Sequence, residues 1–323
     1  MCLSHAGGKV PELLIAHQLP ESLAFLLGGL PEGVALRALS PQAAWAVPDA
    51  ARVLVAMLPR MGRIPMPTQK PPGWPGNLRW LHTLAAGMDE YPDWIFEVPV
   101  VTCGRGTNSI AISEFALASM LAVEKHLPGV WVHSAEAWVT QPGLGTLHGK
   151  TLGLLGFGSI GQEIATRALA FGMDILAFRR TAGTAPPGVR FAELDTVLAN
   201  ADHLIIALPL TGATAGLLGA AALARLKPGV HLVNIARGGI LDHEALLAAL
   251  DTGQVGFASL DVTAPEPLPA GHELYTHERV HLSPHMSWSG GGLAAMGSVL
   301  RENLRRYLAG ETLLNIVPPG RGY

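Results

Sequence analysis

The sequence predicts an α/β protein of two doubly wound parallel-sheet domains, one inserted into the other. Three observations lead to this prediction. The 323 residues are enough for two separate cores. Short apolar runs alternate with helical segments along most of the chain. From residue 151 onward the alternation becomes strict, which is typical of βαβ units and therefore of a parallel sheet.

The first hundred residues contain the strands of the outer domain. We expect buried parallel strands in the runs "ELLIA", "GVALRAL", "RVLVAML" and "LRWLHTLAAG". Six prolines between Pro59 and Pro75 predict a loop, because proline disrupts a regular helix. The segment "TNSIAISEFALASMLAVEKHLPG" predicts one long helix that begins at a Thr/Asn/Ser cap and ends at Pro128-Gly129.

The inserted domain follows. Its predicted strands are "TLGLLG", "DILAF", "HLIIAL", "VHLVNIA", "GFASLDV" and "RVHLS". The helical segments between them are 160–171, 193–200, 219–226 and 242–252. After Trp288, the segment "GGLAAMGSVLRENLRRYLAG" predicts a final helix. Residues 100–289 are therefore expected to form a complete domain between residues 1–99 and 290–323.

Composition excludes several functional classes. Apolar residues make up 49% of the chain and mean hydropathy is +0.32, yet no apolar run reaches the roughly 18 residues of a membrane span. The N-terminus lacks the pattern of a signal peptide. A net charge of −3 without a basic block argues against a nucleic acid partner. Cys2 and Cys103 cannot form a disulfide framework, so we expect a reduced, cytoplasmic setting and no metal centre.

A glycine motif opens the inserted domain. The stretch "LLGFGSIGQEIA" leaves a strand, enters a helix and forms a G-x-G-x-x-G loop; its residues are Gly156, Phe157, Gly158, Ser159, Ile160 and Gly161. The first glycine permits a tight turn, the second lets a pyrophosphate approach the backbone, and the third allows close helix packing. An ordinary glycine turn is the alternative. The βαβ context favours a Rossmann dinucleotide-binding domain.

The end of the next strand predicts the choice of cofactor. An acid that binds the ribose hydroxyls is expected about 20 residues after the loop. The sequence has Arg179, Arg180 and Thr181 instead. A guanidinium can pair with a 2′-phosphate, which a carboxylate would repel. NADPH is therefore favoured, with NAD as the weaker alternative, unless the two arginines are an ordinary solvated pair.

Further candidate residues follow the other strands, and ligands of open α/β sheets lie beyond these carboxyl ends. They are Leu208 and Pro209, then Ile235, Ala236 and Arg237, then Asp261 with Glu266 close behind it, and finally His285. An arginine, two acids and a histidine thus converge on the nicotinamide end of the cofactor.

These residue types fit hydride transfer at a carbonyl group. Arg237 supplies a cation for a substrate carboxylate and for the developing oxyanion. His285 can supply the proton if a carboxylate favours its imidazolium form and holds the ring, which is a role for Glu266. His272, His277 and His281 do not end a strand on this side, so we expect them at solvated or edge positions.

Five stretches carry a family resemblance: "LHGKTLGLLGFGSIG", "ADHLIIALPLTGATAGLLG", "LKPGVHLVNIARGGILDHEAL", "ASLDVTAPEPLP" and "LSPHMSW". The sequence resembles the D-isomer-specific 2-hydroxyacid dehydrogenases, and within them the glyoxylate/hydroxypyruvate reductases. The resemblance implies a flavodoxin-like substrate domain around the Rossmann domain, and a homodimer formed through the helix from residue 108 and the Trp131–Trp138 segment. It gives Arg237, Glu266 and His285 the family's Arg/Glu/His roles.

The resemblance also assigns contacts. Asp261 would lie beside the nicotinamide amide. The backbone N–H groups of Ala86, Gly87 and Met88 would bind the substrate carboxylate, and Trp288 would border the substrate cleft or simply pack there.

The resulting expectation is a reductase that uses NADPH to convert a small 2-keto acid, glyoxylate or hydroxypyruvate in class, into the D-2-hydroxy acid. The alternatives are an NAD-dependent dehydrogenase of a bulkier D-2-hydroxy acid and, from another class, a nucleotide-sensing protein that resembles transcriptional co-repressors. Because no regulatory domain follows Tyr323, the longer phosphoglycerate dehydrogenases are not expected.

Overall fold

A computed structural model describes residues 13–57, 66–67, 69–138, 143–181 and 183–319. Part of the proline-rich segment, at 58–65 and at residue 68, lies outside the described residues, so its loop prediction stays a prediction there. The chain forms two compact units. One ends at Thr107 and resumes at Leu293, and the other spans Asn108–Gly292.

The first unit contains a five-stranded sheet in which every pairing is parallel. Its strands are β1 (Leu13–His17), β2 (Val34–Ala38), β3 (Ala51–Ala56), β4 (Trp80–Thr83) and β5 (Val100–Cys103). Their order, β2-β1-β3-β4-β5, is that of flavodoxin-like folds. The four predicted strands are confirmed. β5 was not predicted, since its four residues "VVTC" are too short a run to indicate a strand.

The second unit contains a seven-stranded parallel sheet of order β12-β11-β10-β9-β6-β7-β8. Its strands are β6 (Thr151–Leu155), β7 (Asp174–Phe178), β8 (Val189–Phe191), β9 (His203–Ile206), β10 (Val230–Asn234), β11 (Val255–Leu260) and β12 (Val280–Leu282). The order reverses between β6 and β9, which makes this a Rossmann sheet with its switch point beside the end of β6. All six predicted strands are present, and β8 is an additional one.

Five helices connect these strands: α1 (Ser109–Glu124), α2 (Ser159–Ala170), α3 (Leu194–Asn200), α4 (Ala220–Leu223) and α5 (His243–Asp251). The predicted helices are confirmed in position, although α4 is a single turn. The prediction that α1 reaches Pro128 was wrong. His126 adopts a φ of +50°, and the N–H of Leu127 bonds to the carbonyl of Ala122 at 2.8 Å, which closes the helix. The predicted side-chain cap is also missing, because Asn108 makes no capping hydrogen bond.

The last helix, α6 (Gly292–Leu308), belongs largely to the first unit and contributes Met296, Leu300 and Leu304 to its core. The described connections between the first unit's strands are 3-10 turns at Glu21–Leu27, Pro41–Ala43 and Asp93–Glu97. Since β5 pairs with β4, the first unit extends past the expected boundary at 99/100, and the second crossing lies at 292/293 instead of 289/290.

Both faces of the seven-stranded sheet are covered. One apolar cluster contains Leu204, Leu232 and Leu246, and the other contains Met120, Ile164 and Val233. Burial on both faces explains why its strands read as continuous apolar runs. Within the described part of the chain, no helix has the length and apolar character needed to cross a membrane.

Candidate active site

The turn between β6 and α2 carries the glycine motif. Gly156 has a φ of +106°, and a Cβ there would lie 2.5 Å from the carbonyl oxygen of Ala207. A Cβ on Gly161 would collide with the carbonyl oxygen of Gly156. Only glycine fits these two positions, for the reasons that the motif predicts: a tight turn and close helix packing.

The start of α2 can receive an anion. Among the described residues, the N–H groups of Gly158, Ser159 and Ile160 have no hydrogen-bond acceptor. Nothing lies within 4 Å of the point that a Cβ on Gly158 would occupy, so a ligand can approach this backbone closely. Unpaired amides at the positive end of a helix fit a pyrophosphate. Phe157 is buried, with its ring centroid 5.2 Å from that of Phe191, so it offers the ligand only its backbone.

The end of β7 lies next to this loop, because the carbonyl of Phe178 accepts the N–H of the first glycine at 2.9 Å. Arg179 comes next, and its guanidinium carbon lies 5.0 Å from the centroid of the Phe191 ring. This cation–π contact holds Arg179 beside the loop. Arg180 and Thr181 follow as exposed residues. The three predicted residues therefore occupy the strand end at which a ribose-selecting acid would otherwise stand.

Arg237 follows β10 in extended conformation and is half-buried. Its Nη1 donates to the carbonyl of Ala236 at 2.7 Å, and Asn234 Nδ2 donates to the carbonyl of Arg237 at 3.0 Å. A Cβ on Gly238 would collide with the backbone of Thr263. Gly238 therefore allows the arginine turn to pack against the loop that leads to Glu266.

Glu266 and His285 form a pair at the ends of the neighbouring strands β11 and β12. Glu266 Oε2 lies 3.0 Å from His285 Nδ1, and Glu266 Oε1 accepts the N–H of Thr263 at 3.1 Å. The side chains are 24% and 22% exposed, so solvent and ligands can reach them. The contact at Nδ1 leaves Nε2 of His285 as the ring nitrogen that can exchange a proton with a substrate.

Asp261, at the end of β11, organises the segment around His285. The residue is 1% exposed, and its carboxylate accepts hydrogen bonds from Ser283 Oγ at 2.6 Å, from the N–H of Met286 at 2.9 Å and from the N–H of Ser287 at 3.0 Å. The expected contact with a nicotinamide amide stays a prediction. The bonds inside the chain show a second role, which is to orient the histidine turn.

The residues predicted to contact the substrate include Trp288 in the second unit and three backbone N–H groups in the first. Trp288 Nε1 donates to the carbonyl of His285 at 2.8 Å, which orients the indole next to the histidine. In the first unit, the N–H groups of Ala86, Gly87 and Met88 have no acceptor among the described residues, although the side chain of Met88 is buried. Three adjacent unpaired donors fit the binding of a carboxylate.

The remaining predicted residues are apolar and line the same strand ends. Leu208 and Pro209 follow β9 and are half-buried, while Ile235 and Ala236 follow β10 and are buried. Side chains of this kind can form the walls around a flat ring but contribute no acid or base.

Three other histidines between the end of β11 and the end of β12, namely His272, His277 and His281, do not lie at the candidate active site. His272 Nδ1 accepts the N–H of Leu274 at 3.2 Å, and His277 Nδ1 accepts the N–H of Arg279 at 3.1 Å. His281 lies within β12, where it faces the edge of the sheet at which the strands begin. His272 and His277 thus have local structural roles, and none of the three follows the end of a strand on the side of the candidate active site.

Three residues that support the site were missed: Phe191 under Arg179, Asn234 under the arginine turn and Ser283 beside Asp261. Asn234 and Ser283 had a usable signal, since each is a polar residue at the end of an apolar strand. Phe191 had none, because β8 was not recognised.

Comparison with known proteins agrees with this arrangement. The model of the D-isomer specific 2-hydroxyacid dehydrogenase NAD-binding domain matches residues 117–287, more than half of the chain. The chain belongs to this family. The matched region contains the glycine loop and Arg237, Glu266 and His285.

Curated relatives within the family have different names. The chain is 38% identical over 225 residues to a glyoxylate reductase of Pyrococcus furiosus, covering 65% of this chain and 66% of the relative. It is 39% identical over 197 residues to a D-3-phosphoglycerate dehydrogenase of Synechocystis, covering 59% of this chain but only 35% of the relative. It thus spans about a third of the length of that phosphoglycerate dehydrogenase.

Solved family structures cover almost the whole chain. A D-isomer specific 2-hydroxyacid dehydrogenase of Xanthobacter autotrophicus, in complex with NADPH and MES, is 28% identical with a TM-score of 0.76, covering 96% of this chain and 99% of that one. A family protein of Aeromonas salmonicida is 27% identical with a TM-score of 0.77, covering 95% and 98%. Both sheets described above are therefore typical of the family.

Proposed function

We propose that this protein reduces a small 2-keto acid, glyoxylate or hydroxypyruvate in class, to the D-2-hydroxy acid with NADPH. The observation that carries the proposal is the Glu266–His285 pair, 3.0 Å apart, at the same sheet edge as the glycine loop and Arg237. The glyoxylate reductase and a hydroxypyruvate reductase of Thermotoga maritima, each 38% identical, support the substrate class.

Each residue of the candidate site has a separate role in the proposed reduction. Arg237 binds the substrate carboxylate and stabilises the charge that develops on the carbonyl oxygen. When bound, the reduced nicotinamide supplies a hydride. His285 gives the proton on Nε2 to the carbonyl oxygen, and Glu266 at Nδ1 stabilises the imidazolium and keeps the ring in orientation. Leu208, Pro209, Ile235 and Ala236 form apolar walls for the nicotinamide, Asp261 contacts its amide, and the N–H groups of Ala86, Gly87 and Met88 contribute to carboxylate binding.

The preference for NADPH rests on the end of β7. Arg179 is oriented by Phe191, and a guanidinium can bind a 2′-phosphate through two parallel hydrogen bonds. Arg180 and Thr181 add further donors. The Xanthobacter relative, which was crystallised with NADPH, supports this choice.

We also propose a homodimer. Trp131 is 62% exposed, Trp138 is 82% exposed and Ile110 on α1 is 55% exposed. Large aromatic side chains at such exposure favour a contact with a second copy of the chain. A monomeric mass at micromolar concentration in sedimentation or light scattering would overturn this proposal.

A second candidate is an NAD-dependent dehydrogenase of a bulkier D-2-hydroxy acid, because the phosphoglycerate dehydrogenases match with similar identity. One experiment separates the candidates. The purified protein is assayed with glyoxylate, hydroxypyruvate and bulkier 2-keto acids, each with NADPH and with NADH. The proposal expects the highest kcat/KM for a small keto acid with NADPH. Highest efficiency for a bulky acid with NADH supports the second candidate, and no turnover of any keto acid with bound cofactor would point to a nucleotide sensor.

A further inference from the structure

A cavity lies at the edge of the seven-stranded sheet opposite the candidate active site. Its volume is about 570 Å³. Several of its residues stand just before or at the start of a strand: Lys150 before β6, Asp202 before β9 and Arg279 before β12. Parallel strands begin at one edge and end at the other, and a five-residue strand spans roughly 17 Å. The cavity is therefore separate from the glycine loop and from His285.

The charged residues of the cavity do not balance. Lys150 pairs with Glu124, and Lys227 Nζ pairs with Asp202 Oδ1 at 2.6 Å. Asp202 Oδ2 also accepts the N–H of Thr151 at 2.8 Å. Both carboxylates are thus neutralised by lysines, and a cation entering the cavity would find no unpaired acid among the described residues that line it.

Arg279 is the remaining charged residue of the cavity after these two lysine–carboxylate pairs. Its guanidinium has no carboxylate partner in the described part of the chain, and its buried Nε has no hydrogen-bond acceptor there. Its backbone is fixed, because its N–H bonds to His277 Nδ1 at 3.1 Å and its carbonyl accepts the N–H of Ala258 at 2.9 Å. A guanidinium that extends from a fixed backbone, with a buried Nε that lacks an acceptor, is suited to a planar or tetrahedral oxyanion.

The surroundings favour an anion as well. His281 packs edge-on against Phe257, with ring centroids 4.6 Å apart, and burial lowers the pKa of His281. The ring is therefore neutral near pH 7 and can donate one hydrogen bond without adding charge. Together, three cations against two carboxylates leave a single positive charge in the cavity.

We propose that this cavity is a second ligand site, in which Arg279 binds the phosphate or carboxylate group of a small molecule. The volume accommodates the anionic group together with a short carbon skeleton. Lys227, at the exposed rim, attracts the anion, and His281 donates to it. The site does not depend on the activity proposed for the opposite edge.

The test is a titration at constant ionic strength, with the full chain saturated with NADPH so that the glycine loop is filled. Inorganic phosphate is one arm and malonate the other, each followed by calorimetry. Apart from any binding at the carboxylate site proposed around Arg237, we expect one saturable site per chain that is at least tenfold weaker in Arg279→Gln and unchanged in Arg237→Ala. The matched control is Arg225→Gln, which removes an exposed arginine paired with Asp195 at 2.8 Å in the same unit and should leave binding unchanged.

The outcomes separate the ligand classes. Tighter binding of phosphate indicates a phosphate ester, and tighter binding of malonate indicates a carboxylic acid. Arg279→Lys keeps the positive charge but loses the paired N–H donors of the guanidinium, so we expect an intermediate affinity. If the thermal midpoint shows that Arg279→Gln does not fold, Arg279→Lys is used for the test instead. Equal affinity in wild type and Arg279→Gln, or no saturable binding of either anion, would overturn the proposal.

Discussion

The N–H of His285 donates a hydrogen bond to the carbonyl of Asp261 at 2.8 Å. His285 has a φ of +50°, a left-handed conformation that costs a non-glycine residue roughly 1–2 kcal/mol. The carboxylate of the same aspartate binds Ser283 before the histidine and Met286 and Ser287 after it. Asp261 therefore stabilises an unfavourable turn from both sides and determines where the imidazole lies.

We predict that Asp261→Asn lowers kcat about 10- to 100-fold and destabilises the fold by about 2 kcal/mol. The carboxylate of Asp261 accepts hydrogen bonds from backbone N–H groups, and the NH₂ of an asparagine would face one of these donors with another donor. Hydrogen bonds to charged groups contribute roughly 1.5–3 kcal/mol. Steady-state kinetics and chemical denaturation measure the two effects. Ser283→Ala is the control, since it removes one of the three side-chain bonds and should do less. Normal kcat in Asp261→Asn would show that the turn does not need the carboxylate.

The Glu266–His285 pair predicts a separation of chemistry from binding. His285→Ala should lower kcat by roughly 10²–10⁴, the range of general acid–base catalysis, with cofactor affinity little changed. Glu266→Gln should shift the pH profile of kcat/KM, because a neutral amide no longer favours the imidazolium. His281→Asn, within β12 and four residues before His285, should keep normal kcat. An unchanged pH profile in Glu266→Gln would count against the pair.

Sequence patterns predicted the strands of both sheets well because parallel strands buried on two faces leave strong apolar runs. They also predicted that Arg237, Glu266 and His285 follow the ends of neighbouring strands, since position at the carboxyl end of a strand follows directly from strand order. The roles of these residues stay predictions. β8 was missed because a three-residue strand leaves almost no pattern, and Phe191 was missed with it. The role of Gly238 could not be predicted for a different reason: its close approach to Thr263 is a contact between distant segments that no local pattern records.

Two buried histidines predict loss of stability in mild acid. His203 Nδ1 and His231 Nδ1 are 3.1 Å apart, and His231 Nε2 contacts Ser259 Oγ at 3.0 Å. Glu124 Oε1 lies 3.1 Å from His203 Nε2, and its negative charge favours the protonated ring. Burial lowers the pKa of His203 to about 4, although the charge of Glu124 raises it, and the charge of Lys150 lowers it as well. Burial also lowers the pKa of His231 well below its usual value.

The direction in which stability changes with pH follows from proton binding by the folded and unfolded chains. The unfolded chain takes up a proton at His203 near pH 6.5, while the folded chain takes it up only at about pH 4. The contribution of His203 is therefore complete above pH 6.5 and declines as pH falls. Between pH 6.5 and 5 we expect a loss of about 2 kcal/mol from this residue, in a range above most carboxylate titrations. Urea denaturation at several pH values measures it.

The variant His203→Asn should flatten this pH dependence, because asparagine does not titrate. His133→Asn, which replaces an exposed histidine, should leave the slope unchanged. If wild type and His203→Asn lose stability in parallel between pH 7 and 5, the buried histidine is not the cause.

We predict that cofactor choice depends on Arg179. Its guanidinium stacks on Phe191, and the same ring packs edge-on against Phe157 of the glycine loop, with centroids 5.2 Å apart. A charge-assisted hydrogen bond contributes about 1.5–3 kcal/mol, so losing one should weaken NADPH roughly 10- to 150-fold. We therefore predict a lower KM for NADPH than for NADH in the unmodified protein, and that Arg179→Ala raises the KM for NADPH while barely changing that for NADH.

Two further variants test whether the ring is needed to present the charge. Phe191→Leu keeps the arginine but removes its stacking partner, so NADPH affinity should fall by less than in Arg179→Ala. Arg179→Asp should go further than alanine and favour NADH, because a carboxylate accepts the ribose hydroxyls and repels the phosphate. Arg180→Ala serves as the comparison at the neighbouring arginine. Equal KM values for NADPH and NADH in the unmodified protein would contradict the predicted role of Arg179, because an arginine that points into solvent does not discriminate between the two cofactors.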